Sequence, residues 1–296
     1  MADQAERLRA IVKENMANAN PARVITVTSG KGGVGKTNFT VNLGIILAKL
    51  GQKILLVDAD LGLANVDVML GMIPKYNLGH VLLGEKKIAD IIINGPAGMK
   101  IIPSGSGMYK LANLGEKKLA QCLQHLNELE KSTDIMLIDT GAGLSKSVLK
   151  FVLAAGEVII ITTPEPTAIT DAYGIIKVIA GANRDIPIRV VVNMVKNEKE
   201  AEEVMERLSA VSQRFLGLNL VRLGFIPLDM VVSKAVKEQQ PFVLGHPRSA
   251  AAQSVNQIAN RLINEDAVNT TGSLSFFERL LGVFKQVDQD NENIPS

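Results

Sequence analysis

The chain has 296 residues, 47% hydrophobic and 21% charged, which is enough apolar content for a sizeable core and too much for a disordered chain. Its 32 basic and 30 acidic residues leave a formal charge of +2, so no global charge argues for nucleic acid as a partner. The single cysteine, Cys122, excludes an internal disulfide framework and any cysteine-pair metal or iron–sulfur site within one chain, and His80, His125 and His246 lie too far apart to read as a zinc site. No apolar run has the length of a membrane span and the N-terminus has no signal-peptide core, so a cytosolic protein is expected.

In chain order, residues 3–18 place Leu8, Ile11, Val12 and Met16 at helical spacing, and Asn20-Pro21 stops that pattern. Apolar, β-branched runs then recur at Val24–Thr28, Ile54–Val57, Ile101–Ile102, Ile135–Ile138, Val158–Thr162, Arg189–Val192 and Leu220–Ile226. They are almost continuously apolar, as strands buried on both faces must be. Helical patterns lie between most of them, at Asn38–Leu50, Leu114–Leu129, Ala168–Ala180 and Glu198–Phe215, and a last one follows at Ala250–Ile263. This alternation predicts an α/β fold: a mostly parallel, doubly wound sheet of about seven or eight strands with helices on both faces.

The first strand runs into Ser29-Gly30-Lys31-Gly32-Gly33-Val34-Gly35-Lys36-Thr37, which fits G-x-x-x-x-G-K-[ST] from Gly30 to Thr37. Glycines at this spacing let backbone N–H groups converge on phosphate oxygens, and the helix that follows adds its dipole. The phosphate-binding set is Gly30, Lys31, Gly32, Gly33, Val34, Gly35, Lys36, Thr37 and Asn38, with Lys36 reaching the β- and γ-phosphates and Thr37 a Mg²⁺ ion. Acidic residues end two strands further on, as Asp58-Ala59-Asp60 and as Asp139 before Thr140-Gly141-Ala142-Gly143. Both fall at the carboxyl edge, where ligands collect in such sheets.

Lys31, a second lysine inside the loop, makes the motif resemble that of the deviant Walker A (MinD/ParA) family of P-loop ATPases. The resemblance covers about residues 22–264 and implies ATP/ADP and Mg²⁺ as cofactors. It further implies an ATP-dependent homodimer in which Lys31 reaches the partner's phosphates. By the same resemblance Asp58 and Asp139 help to hold Mg²⁺, Asp60 activates the attacking water, and Asn193, Pro227 and Asp229 surround adenine. Lys31, Lys36 and Asp60 then form the catalytic set. The chain reads Asn193-Met194-Val195-Lys196 where a guanine motif would stand, which favours ATP over GTP. Gly141 stands where MinD-type proteins usually have proline, a more flexible switch.

The two ends narrow the use of this engine. Residues 274–287 carry three of the eight phenylalanines, with Ser275 and Glu278 at capping-box spacing. Phe276, Phe277, Leu280, Leu281 and Phe284 fall on one apolar face, which resembles the membrane-targeting helix of MinD. A helix docked on the protein's own core is compatible with the same pattern. At the other end, Asp3-Gln4-Ala5-Glu6-Arg7-Leu8-Arg9 resembles the N-terminal extension of the FlhG (FleN/YlxH) family of flagellar number regulators. That resemblance implies a signal-recognition-particle-type GTPase, FlhF, as the partner of Gln4, Leu8 and Arg9. It extends to flagellar C-ring proteins and the inner leaflet of the cytoplasmic membrane, with no specific nucleic acid.

The expected organisation is a partner-activating helix and linker at 1–21, an ATPase domain at 22–264, a linker at 265–273, an amphipathic helix at 274–287 and a polar tail at 288–296. The expected protein is a cytoplasmic ATPase, reversibly bound to the membrane, that controls flagellar number and placement. A MinD-type division-site regulator and a ParA-type DNA segregation ATPase are the alternatives.

Overall fold

A computed structural model describes residues 22–60, 65–103, 125–143, 145–264 and 275–283. The strands are β1 (Arg23–Ser29), β2 (Ile54–Ala59), β3 (Ile93–Asn94), β4 (Lys100–Pro103), β5 (Ile135–Ala142), β6 (Val158–Thr162), β7 (Ile188–Val195) and β8 (Val221–Pro227). They form one sheet in the order β3-β4-β2-β5-β1-β6-β7-β8, parallel throughout except where β3 meets β4. The predicted doubly wound sheet is therefore present, with eight strands. The two-residue β3 is too short to leave a periodic signal.

The main helices are α1 (Lys36–Lys49), α2 (Lys146–Ala155), α3 (Pro166–Ala182), α4 (Glu198–Leu216), α5 (Met230–Lys237) and α6 (Ala250–Asn264). Helix α1 starts two residues before the predicted Asn38, because Gly35 in the left-handed region takes the N-cap position. Pro166 opens α3, where its missing N–H costs nothing. Asn197 caps α4 by accepting from Glu200 N at 2.9 Å. Sequence periodicity leaves α2 unassigned, as its ten residues are mostly apolar; the Ser145 cap, which accepts from Val148 N, is the signal that marks it.

Alternate strand residues feed two buried layers. Ile25, Val27, Leu56 and Leu137 pack with α1 and α6 on one face. On the other, Val24, Leu55, Val57, Met136 and Ile138 pack with helical residues 125–131, α2 and residues 276–283, while Val158, Ile160, Val190 and Val192 pack under α3 and α4. A buried charge cluster ties the amino ends of β1, β6 and β7. Glu157 accepts from Arg23 at 2.8 Å and pairs with Arg189 at 2.6 Å.

Candidate functional site

The turn between β1 and α1 is built as a cradle. Ser29 Oγ donates to Lys31 O at 3.0 Å inside the loop. Gly33 and Gly35 have φ of 81° and 87°, which side chains rarely adopt. Gly30 is fixed by a different constraint: a Cβ there would stand 2.3 Å from the backbone carbonyl carbon of Asp171 on α3.

Parallel pairing of β2 with β5 sets Asp58 opposite Asp139 at the carboxyl edge, beside the loop. Asp139 is fully buried and accepts from Lys36 Nζ at 2.8 Å, Thr37 Oγ1 at 2.6 Å and Thr40 Oγ1 at 3.2 Å. Burial, and next the Asp139 carboxylate, push the Asp58 carboxyl up to about 7. Its Oδ1 accepts from Asp60 N at 3.2 Å. Thr37, Asp58 and Asp139 offer the oxygen-only donors that suit Mg²⁺. Among the described residues no carboxylate, histidine or cysteine cluster holds an ion unaided. A Mg²⁺ here fits as one that takes its remaining ligands from phosphate and water. Gly143, just past β5, is joined to the loop by Gly143 N donating to Ser29 O at 2.8 Å.

Lys31 is held within its own chain. Its Nζ donates to Glu165 Oε2 at 2.7 Å and lies 3.1 Å from Thr167 Oγ1, both at the start of α3. The predicted adenine residues also converge. Asn193, Pro227 and Asp229 line a cleft of about 370 Å³ that opens beside Gly35 and Asn38. The Asp229 carboxylate is committed to the fold, since Oδ1 caps α5 through Val231 N and Oδ2 accepts from Ala251 N. The apolar walls, Phe39, Val232, Val236 and Phe242, were not legible in the sequence. They carry no motif: Phe39 lies on α1, Val232 and Val236 on α5 and Phe242 beyond it, and only the fold brings them to one cleft.

The sequence model of the ParA family, described as NUBPL iron-transfer P-loop NTPase, matches residues 20–263. The chain belongs to the MinD/ParA family of P-loop ATPases. The antiactivator FleN of Pseudomonas aeruginosa is 40% identical over 90% of this chain and 96% of that protein. The flagellum site-determining protein YlxH of Helicobacter pylori is 37% identical, over 95% and 99%. Among solved structures, MinD in the MinC:MinD cell division complex of Aquifex aeolicus superposes with a TM-score of 0.66 at 29% identity, covering 83% of this chain and 97% of that one. MinD of Pyrococcus horikoshii complexed with Mg-ADP gives 0.65 at 26%, covering 86% and 100%. This MinD/ParA chain is accordingly an ATPase that works with ATP and Mg²⁺.

The C-terminal helix of this MinD/ParA chain is docked on its own core. Helical residues 276–283 bury Phe276, Phe277, Leu280 and Leu281 against Leu126, Leu129 and Phe151. The predicted capping box forms: Ser275 N donates to Glu278 Oε2 at 2.8 Å and Glu278 N to Ser275 Oγ at 3.2 Å. Residues outside the helix hold it too. Phe276 N donates to both oxygens of buried Glu130 at 3.0 Å, and Arg279 Nε to Ala154 O at 2.8 Å. Among the described residues no helix is long and apolar enough to cross a membrane. Phe284 and the partner residues Gln4, Leu8 and Arg9 lie outside the described residues.

Proposed function

We propose that this ATPase is a nucleotide-gated switch that sets flagellar number and placement. The observation that carries the reading is the match to FleN and YlxH along almost the whole chain. The chloroplast MinD homologue of Arabidopsis thaliana, by comparison, matches at 32%. In the proposed cycle the β- and γ-phosphates take Lys36 from Asp139, and two copies pair face to face. Lys31 leaves Glu165 for the other copy's phosphates, while Asp60 orients the attacking water. Asp58, Asp139 and Thr37 hold Mg²⁺, and Asn193, Pro227 and Asp229 border the base. The C-terminal helix then leaves its cradle, and Phe276, Phe277, Leu280, Leu281 and Phe284 enter the inner leaflet. One such helix is a marginal anchor, whereas two on a dimer gain from effective concentration. The N-terminal segment, through Gln4, Leu8 and Arg9, stimulates an FlhF-type GTPase, and C-ring proteins are further partners.

Gene deletion with complementation tests the reading. Cells without the protein should change flagellar number. The wild type should restore it, Lys36→Ala should not, and Asp60→Ala should accumulate as a vesicle-bound dimer in ATP. Normal flagella with misplaced division septa would overturn the flagellar reading in favour of a division regulator.

A further inference from the structure

Asn193 lies near the carboxyl end of β7, between the base cleft and the phosphate loop, and only 8% of it is exposed. A residue bordering the base is expected to turn its amide to adenine, yet one N–H and one oxygen lone pair of this amide are already engaged within the chain. Nδ2 donates to Val34 O at 2.8 Å, and Oδ1 accepts from Met194 N at 2.9 Å. The pairing fixes which end of the amide is which, because a carbonyl only accepts and a backbone N–H only donates. The loop is also in close contact with the amide: a Cβ at Gly35 would stand 2.4 Å from Asn193 Nδ2.

The peptide plane gives this contact its consequence. In a trans peptide the carbonyl of one residue and the N–H of the next point to opposite sides. Anchoring the Val34 carbonyl on Asn193 therefore turns the Gly35 N–H to the side away from Asn193. The strand is bent to make the contact. Met194 sits at φ 59°, and the register against β8 slips between Asn193 and Val195. Such a conformation persists where the surroundings hold it, and the Oδ1 bond to Met194 N is part of that hold.

We propose that Asn193 is a positioning residue for the phosphate loop, which aims the Gly35 N–H at the phosphates and leaves base selection to the rest of the cleft. This rests on the loop assignment above, which is read separately in the same experiment from wild-type ATP binding and its loss in Lys36→Ala. The full chain carrying Asn193→Ala or Asn193→Asp is titrated with ATP, GTP and inorganic tripolyphosphate by calorimetry. Affinity for ATP and for tripolyphosphate should fall together, by about tenfold, which is what one hydrogen bond supplies. The ratio of ATP to GTP affinity should stay at the wild-type value. A ratio that collapses while tripolyphosphate binding holds would make Asn193 a base reader and overturn the proposal. Unchanged affinity for all three ligands would overturn it as well. If Asn193→Asp does not fold, Asn193→Ala carries the same comparison.

Discussion

At the residue scale, two positions of the ATP site respond to different physics. Gly30 faces the backbone of α3, which cannot move aside as a flexible side chain does. Gly30→Ala should therefore cost about 1–3 kcal/mol through overpacking and displace the loop, lowering both the unfolding midpoint and ATP affinity in calorimetry. Asp58 responds through its proton. With its folded value raised to about 7 from an ordinary 3.8, the carboxyl favours the ligand-free fold fully below its ordinary value. That contribution is lost as pH rises through about 7. In its proposed Mg²⁺ role Asp58 acts ionised, so Mg·ATP affinity should climb from pH 6 to 8 with measurable proton release. Asp58→Asn should bind Mg·ATP weakly and without that slope. The glycines, Lys36 and Asp58 were all legible, since their spacing carries the chemistry. Glu165 was not, because its role depends on α3 starting against the loop, 134 residues after Lys31.

At the element scale, the C-terminal helix shows how far an amphipathic pattern reaches. Its capping box and apolar face are local properties, so both were readable from residues 275–281. What covers that face is not local. Leu280 is buried among Leu126, Leu129 and Phe151, and Leu280→Ala should cost about 2–5 kcal/mol in denaturant unfolding; a helix waiting in solvent would show almost no change. Glu130 holds the helix N-terminus by accepting from Phe276 N. Glu130→Ala leaves that N–H unpaired in the docked state and should raise vesicle co-sedimentation without ATP. Vesicle binding that still needs ATP in this variant would show that Glu130 is no latch.

At the scale of the whole molecule, the ATP site sits on one edge of the sheet and a salt bridge cluster closes the other. Glu157 lies between Arg23 and Arg189, with Glu157 and Arg189 buried and Arg23 partly so. Glu157→Ala would take the buried carboxylate away from both guanidinium groups and should cost about 3–5 kcal/mol, read as a lower unfolding midpoint, while the ATP site across the sheet stays intact. The cluster was invisible beforehand, because an arginine at the start of a strand reads as an ordinary edge residue. By itself the sequence determined the doubly wound sheet, the phosphate loop, the acidic strand ends and an amphipathic C-terminal segment. The last three are written in local periodicity or spacing, and the sheet in the alternation of such local segments along the chain. Only the tertiary structure decided that Lys31 rests on Glu165, that the C-terminal helix fills a groove in the core, and that Asn193 grips the phosphate loop. These are contacts between side chains far apart in the chain, and the crossing of strands and helices, which no local pattern encodes, brings them within bonding distance.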